Sequence, residues 1–291
     1  MARLPGNRQL EDARGRQLFT LRDINMLPQR EKELIYRTIL PPRLFERFAI
    51  SPDTFRGSDG GRKVRFIAPE GLDFLRVEVR LSPEDRDCVF FLEIADTQFH
   101  QMELAFCIIN DPDSPRYDVD VDATGRNNNF CTLGRNIPEE IRAMEAGLFP
   151  NQTHRGMRMF PEFLGLFERF VDSLGMEIIV AEPLSYDNAI RYEKYGFDYI
   201  TGKRLMQEIH EGFKEGNIYY RRLDGSTPFR RPGFEKTVHG RSWAIHDGIL
   251  DTPWDDIRIY LHIGRNAGID TFPGRERDPV PGRRKPASVQ K

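Results

Sequence analysis

The sequence predicts a mixed α/β fold of the α+β kind: a central, mostly antiparallel sheet flanked by helices, with N- and C-terminal extensions. Three observations predict it. Residues 63 to 122 break into short β-rich runs divided by turn residues. Residues 160 to 175 carry the clearest helical stripe in the chain. Beyond that stripe, strand-like and helix-like segments alternate, as they do in a layered sheet-and-helix core.

Taken in order, residues 1–20 are polar and charged with little periodicity, and predict a mobile arm. Residues 28–48 place Leu34, Ile35, Ile39 and Leu40 at helical spacing, and Pro41-Pro42 ends that short amphipathic helix. Residues 51–62 read as a loop. KVRFIA, FLRVEVRL, CVFFLEIAD, QMELAFCII and RYDVDVD then read as five strands of an antiparallel meander. Alternation is clearest at Leu75, Val77, Val79 and Leu81, and again at Val119 and Val121. Residues 123–154 interrupt the meander with a loop and a helix over PEEIRAMEAGLF, with Pro138 in its first turn.

The helix FPEFLGLFERFVDSLG aligns Phe160, Phe163, Leu164, Phe167, Phe170, Val171 and Leu174. Pro161 suits its first turn and Gly175 its end. MEIIVA follows as a buried strand. SYDNAIRYEKYG is a second helix, with Ser185 as N-cap and Gly196 as stop. FDYITG and KRLMQEIHEGF add a strand and a helix. The expected organisation is an N-terminal arm and short helix over 1–62, a core over 63–205, an extension packed on that core over 206–272, and a disordered basic tail over 273–291.

Composition narrows the function. The chain has 291 residues, 43 Lys plus Arg, 45 Asp plus Glu, and a formal net charge of -2. The tail has six basic and two acidic residues, so the body is more acidic than the total suggests. That argues against nucleic acid as a partner, since such binders carry a basic field. There is no run of about 18 apolar residues, so no membrane span is expected. The charged N-terminus lacks a secretory signal, and Cys88, Cys107 and Cys131 are too few and too scattered for a disulfide framework, so a cytoplasmic protein with reduced thiols is expected. The six histidines form no metal signature, so no metal is expected. Trp243 and Trp254 share a His-containing stretch and predict anchorage of the C-terminal extension, a pocket lining or a partner surface.

Several acids are candidates for chemistry. On a strand, Asp118, Asp120 and Asp122 would share one face at about 7 Å spacing. They could hold a cationic amine, supply a base, bind a cation, or form a solvated face. Glu93 and Glu103 sit in apolar strand sequence, pointing outward or buried with a raised pKa.

The stretch from Gly156 to Phe197 contains the long helix, the strand, and a second helix finishing in Tyr192-Glu193-Lys194-Tyr195-Gly196-Phe197. This resembles the GNAT superfamily of N-acyltransferases, whose signature is Tyr-Glu-Lys-x-Gly-Phe. Arg155-Gly156 stands where that family's acyl-donor loop stands, before the long helix, and RYDVDVD takes the place of its fourth strand. The resemblance covers about residues 63–205. It implies an acyl-CoA or another phosphopantetheine-linked acyl donor as cosubstrate, bound by Arg155, Gly156 and Arg158. It further implies Tyr192 as acid or orienter, and Asp120 or Glu103 at the amine with Asp118 and Asp122 beside it. The chain departs from the family's Gln/Arg-x-x-Gly-x-Gly/Ala loop: Arg158 and Phe160 stand where two small residues usually lie. An acyl carrier protein as donor would suit that change. So would a degenerate module that binds a protein partner or forms a homodimer, to which 21 Phe would lend apolar surface.

Overall fold

The structure is a computed structural model and describes residues 9–128 and 134–277. Its fold class is the one the sequence predicts. Three short helices come first: α1 (Leu21–Asn25), α2 (Gln29–Arg37) and α3 (Pro42–Arg47). Four strands follow: β1 (Val64–Ile67), β2 (Phe74–Val79), β3 (Phe90–Asp96) and β4 (Met102–Ile109). Next come α4 (Ile137–Glu145), α5 (Phe160–Ser173), β5 (Ile178–Ala181), α6 (Tyr186–Lys194) and β6 (Asp198–Thr201). The described chain closes with α7 (Lys203–Gly212), α8 (Ile218–Arg221), α9 (Val238–His246) and β7 (Arg258–His262).

The strands form one sheet in the order β1-β2-β3-β4-β5-β7-β6. Every neighbouring pair is antiparallel except β4 with β5. Alternation works as expected along β2, where Leu75, Val77 and Val79 are fully buried. The stripe of α5 lies against that core, with Phe163 edge-on to Phe90 at 5.7 Å and Phe163, Phe167 and Val171 fully buried. Helix α5 ends as expected at Gly175, which takes a φ of 75° that an L side chain resists.

Four expectations need correction. The N-terminal segment from Gln9 on is docked, not a mobile arm. Leu18, Leu21 and Ile24 are fully buried, and the Leu10 amide donates to the Ser173 carbonyl at 2.9 Å. Residues 1–8 lie outside the described residues. Second, Pro41-Pro42 ends one helix and opens another, because Pro42 stands in the first turn of α3, where no N–H is needed.

Third, RYDVDVD is not a strand. Val121 makes only an isolated bridge to Asn127, and the fourth strand of the sheet is Met102–Ile109. Val119 is buried all the same, in a small separate cluster with Met144, Leu148, Phe229 and Trp243.

Fourth, the 206–272 segment is more than an extension packed on a finished core. It supplies β7, which pairs antiparallel with both β5 and β6. Glu193 of α6 holds the same end of the chain: its carboxylate accepts from the Tyr199 hydroxyl at 2.5 Å, the Thr271 hydroxyl at 2.6 Å and the Thr271 amide at 3.0 Å. A Cβ on Gly196 would come within 3.0 Å of Asn266 Cα, so the chain passes too close there for a side chain. The tail expected from 273 is described only to Arg277, and Cys131 also lies outside the described residues. Among the described residues no helix is long and apolar enough to cross a membrane.

Candidate functional site

The site begins with an irregularity in β4. Opposite β3, Phe106 pairs with Glu93 and Leu104 with Ile94, so Ala105 is one residue too many, a β-bulge. The parallel pairing of β4 with β5 ends at the same place, covering only Met102–Leu104 against Ile179–Ala181. From Ala105 to Ile109 the strand keeps β3 on one side and loses β5 on the other. Its alternate backbone groups on that side face a cavity of about 600 Å³.

A second segment closes the far end. Asn110 bridges Gly156, and the Asp111 amide donates to the Arg155 carbonyl at 2.7 Å. A Cβ on Gly156 would sit 3.3 Å from the Ile109 carbonyl oxygen, which explains a glycine at this crossing. Met157 and Met159 are buried and pin the loop, while Arg155 and Arg158 are exposed. Arg158 adopts a φ of 58°, the left-handed turn that a glycine would enter freely. Helix α5 then starts at Phe160, with Pro161 in its first turn. Its N-terminal N–H groups and dipole favour an anion, and neither Arg155 nor Arg158 has an ion-pair partner among the described residues.

The opposite wall is the end of β5 and the start of α6. Ser185 stands at the N-cap position, yet its hydroxyl donates to the Asp187 carboxylate at 2.7 Å and accepts from Asn188 at 2.7 Å instead of capping the helix. One turn beyond Asn188, Arg191 and Tyr192 line the cavity. Tyr192 packs against Phe197 at 4.8 Å and edge-on to Phe160 at 5.8 Å. Burial pushes its phenol well above the ordinary value, and the nearby Cys107 thiol adds to the rise. Burial also raises the Cys107 thiol, so both groups keep their protons at neutral pH.

The third wall, residues 147–154, is held from behind by α9. The Leu148 carbonyl accepts from Trp243 Nε1 at 2.9 Å, and His239 Nε2 lies 2.9 Å from the same oxygen. Trp254 donates to the Pro183 carbonyl at 3.0 Å, on the wall opposite. Both tryptophans therefore anchor backbone that borders the cavity.

The cavity brings together Arg155, Gly156, Arg158 and Tyr192. It does not take in Glu103, Asp118, Asp120 or Asp122. Glu103 lies on β4 in the stretch still paired with both neighbours, opposite Ala95 and Val180. Asp118 and Asp120 are not on a strand, and their carboxylates are held in ion pairs outside the cavity. Asp120 accepts from Arg116 at 2.7 Å and Arg86 at 2.9 Å, and Asp118 pairs with the same two arginines. Asp122 closes its own turn: it accepts from the Thr124 hydroxyl and from the Thr124 and Arg126 amides, and the Thr124 hydroxyl leads in holding its carboxyl low. Glu93 is bound across the strands by Arg76.

Local patterns missed Ser185, Asn188, Arg191, Cys107 and His154, all of which line the cavity. Helical spacing from Tyr192 could have found Asn188, one turn before it. Cys107 and His154 carry no local signal. Among the described residues, no three His, Cys, Asp or Glu side chains are grouped to hold a metal ion. No protein-family model, curated protein or solved structure matches the chain.

Proposed function

We propose that this chain is an N-acyltransferase of GNAT-like fold. It moves an acyl group from a thioester donor, an acyl-CoA or an acyl carrier protein, to an amine of a small molecule or protein. The observation that carries the reading is the parting of β4 from β5 at the Ala105 bulge, which opens a strand edge onto a cavity. A phosphopantetheine arm is an extended amide chain, and such chains bind as an added strand on an open edge. At the far end, the N-terminus of α5 with Arg155 and Arg158 supports binding of the donor's phosphate.

The chemistry has three demands. The thioester oxygen gains charge during attack, and a backbone N–H on the bulged edge is the kind of donor that stabilises it. The leaving sulfur takes up charge next. Tyr192, whose phenol stays protonated, suits a hydrogen-bond donor to that sulfur better than a freely ionising acid. The amine must also be oriented. With Glu103 and the three aspartates outside the cavity, that task falls to Ser185 and Asn188 at the start of α6.

Thermal unfolding with acetyl-CoA, longer acyl-CoAs and free coenzyme A tests the reading. A ligand that binds only the folded chain raises the midpoint. A flat response to all of them, with a protein other than an acyl carrier protein copurifying at fixed stoichiometry, rejects it. That result favours the second reading, a degenerate module acting as a partner subunit. Two observations support the second reading: Phe160 packs against Tyr195, rings tilted by 48° at 5.2 Å, at the start of α5, and Phe99 is 72% exposed at a hairpin tip.

A further inference from the structure

We propose that His154, backed by Asp87, is the general base of this cavity; the proposal rests on the acyl-transfer reading and supplies the base which that reading lacks. His154 lines the cavity, yet its side chain is only 11% exposed. The ring is held at both nitrogens. Nε2 lies 3.2 Å from Asp87 Oδ2, and Nδ1 lies 3.4 Å from the Ser114 hydroxyl. A carboxylate on Nε2 places the proton of the neutral ring there and leaves the Nδ1 lone pair as the basic site.

Ser114 does not use up that lone pair. Its hydroxyl donates to the Asp111 carbonyl at 2.8 Å and accepts from the Arg155 amide at 3.1 Å. Its proton is therefore committed elsewhere, and 3.4 Å to Nδ1 is long for a hydrogen bond.

Behind the imidazole lies a network of ion pairs. Asp87 is clamped by Arg116 at 2.7 Å. Arg116 is shared with Asp118 and Asp120, and Arg86 serves those two as well. Three carboxylates thus divide two guanidinium groups, and one negative charge is left over behind the imidazole. The Asp111 carboxylate shares Arg47 with Asp113, at 2.6 and 2.8 Å, and Arg155, next to His154 in sequence, is exposed and lines the same cavity. The aspartates expected to hold the amine thereby become the support of the residue that deprotonates it.

The step balances as follows. The amine nitrogen attacks the thioester carbon, forming the C–N bond and moving the π pair onto oxygen. His154 Nδ1 takes one N–H proton. The carbonyl re-forms, the C–S bond breaks with its electron pair on sulfur, and the imidazolium proton passes to that thiolate through water. The products are an amide and a free thiol.

The test uses the full chain. Two-bond 1H–15N correlation spectra give the tautomer of the neutral ring, and free thiol released from acetyl-CoA is followed with ethylamine, spermidine and glutamate as acceptor probes across pH. The expected result is an Nε2–H tautomer, with His154→Gln lowering kcat/KM about 100-fold and abolishing the acidic limb while coenzyme A affinity holds. Asp87→Asn, which keeps the packing, lowers kcat with little change in KM and shifts the neutral ring away from the Nε2–H tautomer. A neutral ring protonated on Nδ1, or a His154→Gln enzyme with the wild-type rate and pH profile, overturns the base role alone. No thiol release by the wild type with any probe overturns transfer from acetyl-CoA and the base role together.

Discussion

The indole of Trp243 donates to the carbonyl of Leu148 at 2.9 Å, across 95 residues of sequence. That bond ties a fully buried side chain of α9 to the backbone that begins one wall of the cavity. Trp243→Phe keeps the stacking on Phe229, seen at 5.3 Å, and removes the donor. Denaturant unfolding should show a loss of about 1–2 kcal/mol. Coenzyme A should also raise the melting midpoint less than in the wild type. An undiminished shift would mean that this wall does not shape the donor site.

Arg158 separates backbone from side chain. Its φ of 58° costs about 1 kcal/mol for a residue with a Cβ. Arg158→Gly should therefore raise the melting midpoint by about 2 °C or more. The same change should weaken coenzyme A about tenfold, more at low salt than at high salt, as expected for a charge–phosphate contact. Calorimetric titration decides: tighter folding with unchanged affinity would remove Arg158 from the donor site.

Asp118 and Asp120 offer the converse test. Their ion pairs with Arg86 and Arg116 are partly exposed, so Asp118→Asn with Asp120→Asn should cost only about 1 kcal/mol. Coenzyme A binding should not change. A large loss of affinity in the double variant would return these carboxylates to the binding site.

Glu140 sets an acid limit on stability. Burial pushes its carboxyl up, but the His246 and Arg135 hydrogen bonds outweigh burial and hold it at about 2. A carboxyl held below its unfolded value stabilises the fold above that value. The contribution is complete above about pH 4.5 and fades as pH falls toward 2. Glu140→Gln should cost about 3 kcal/mol at pH 7, because it removes a buried carboxylate that Arg135 and His246 both hold. Urea midpoints across pH should show the wild-type advantage vanishing near pH 2, and a constant difference would contradict the assignment.

Much of the fold was legible because its signals are local. The stripe of α5 and the alternation of β2 each bury one face against the core. Asp118-Val119-Asp120-Val121 alternates equally well and forms no strand. Burial of Val119 beside Trp243 meets the apolar demand, and Arg86 and Arg116 meet the charge, with no sheet involved. Period-two patterning reports which side chains are buried, not what buries them. The site was half legible. Arg155, Gly156, Arg158 and Tyr192 came from one contiguous stretch. His154 with Asp87 spans 67 residues, and the Ala105 bulge has no glycine or proline to announce it. Such features exist only once strands are paired.

The insertion of β7 between β5 and β6 bears on how the molecule is made. During synthesis β5 and β6 emerge well before Arg258–His262, and they do not pair with each other. Until β7 leaves the ribosome, that side of the sheet has two open edges, a state prone to wrong pairing. The first four strands can close as hairpins early, whereas the half that carries α6 must wait. A stalled or shortened nascent chain would therefore hold a finished meander beside an unfinished cleft, and would depend on chaperones in proportion to the time spent in between.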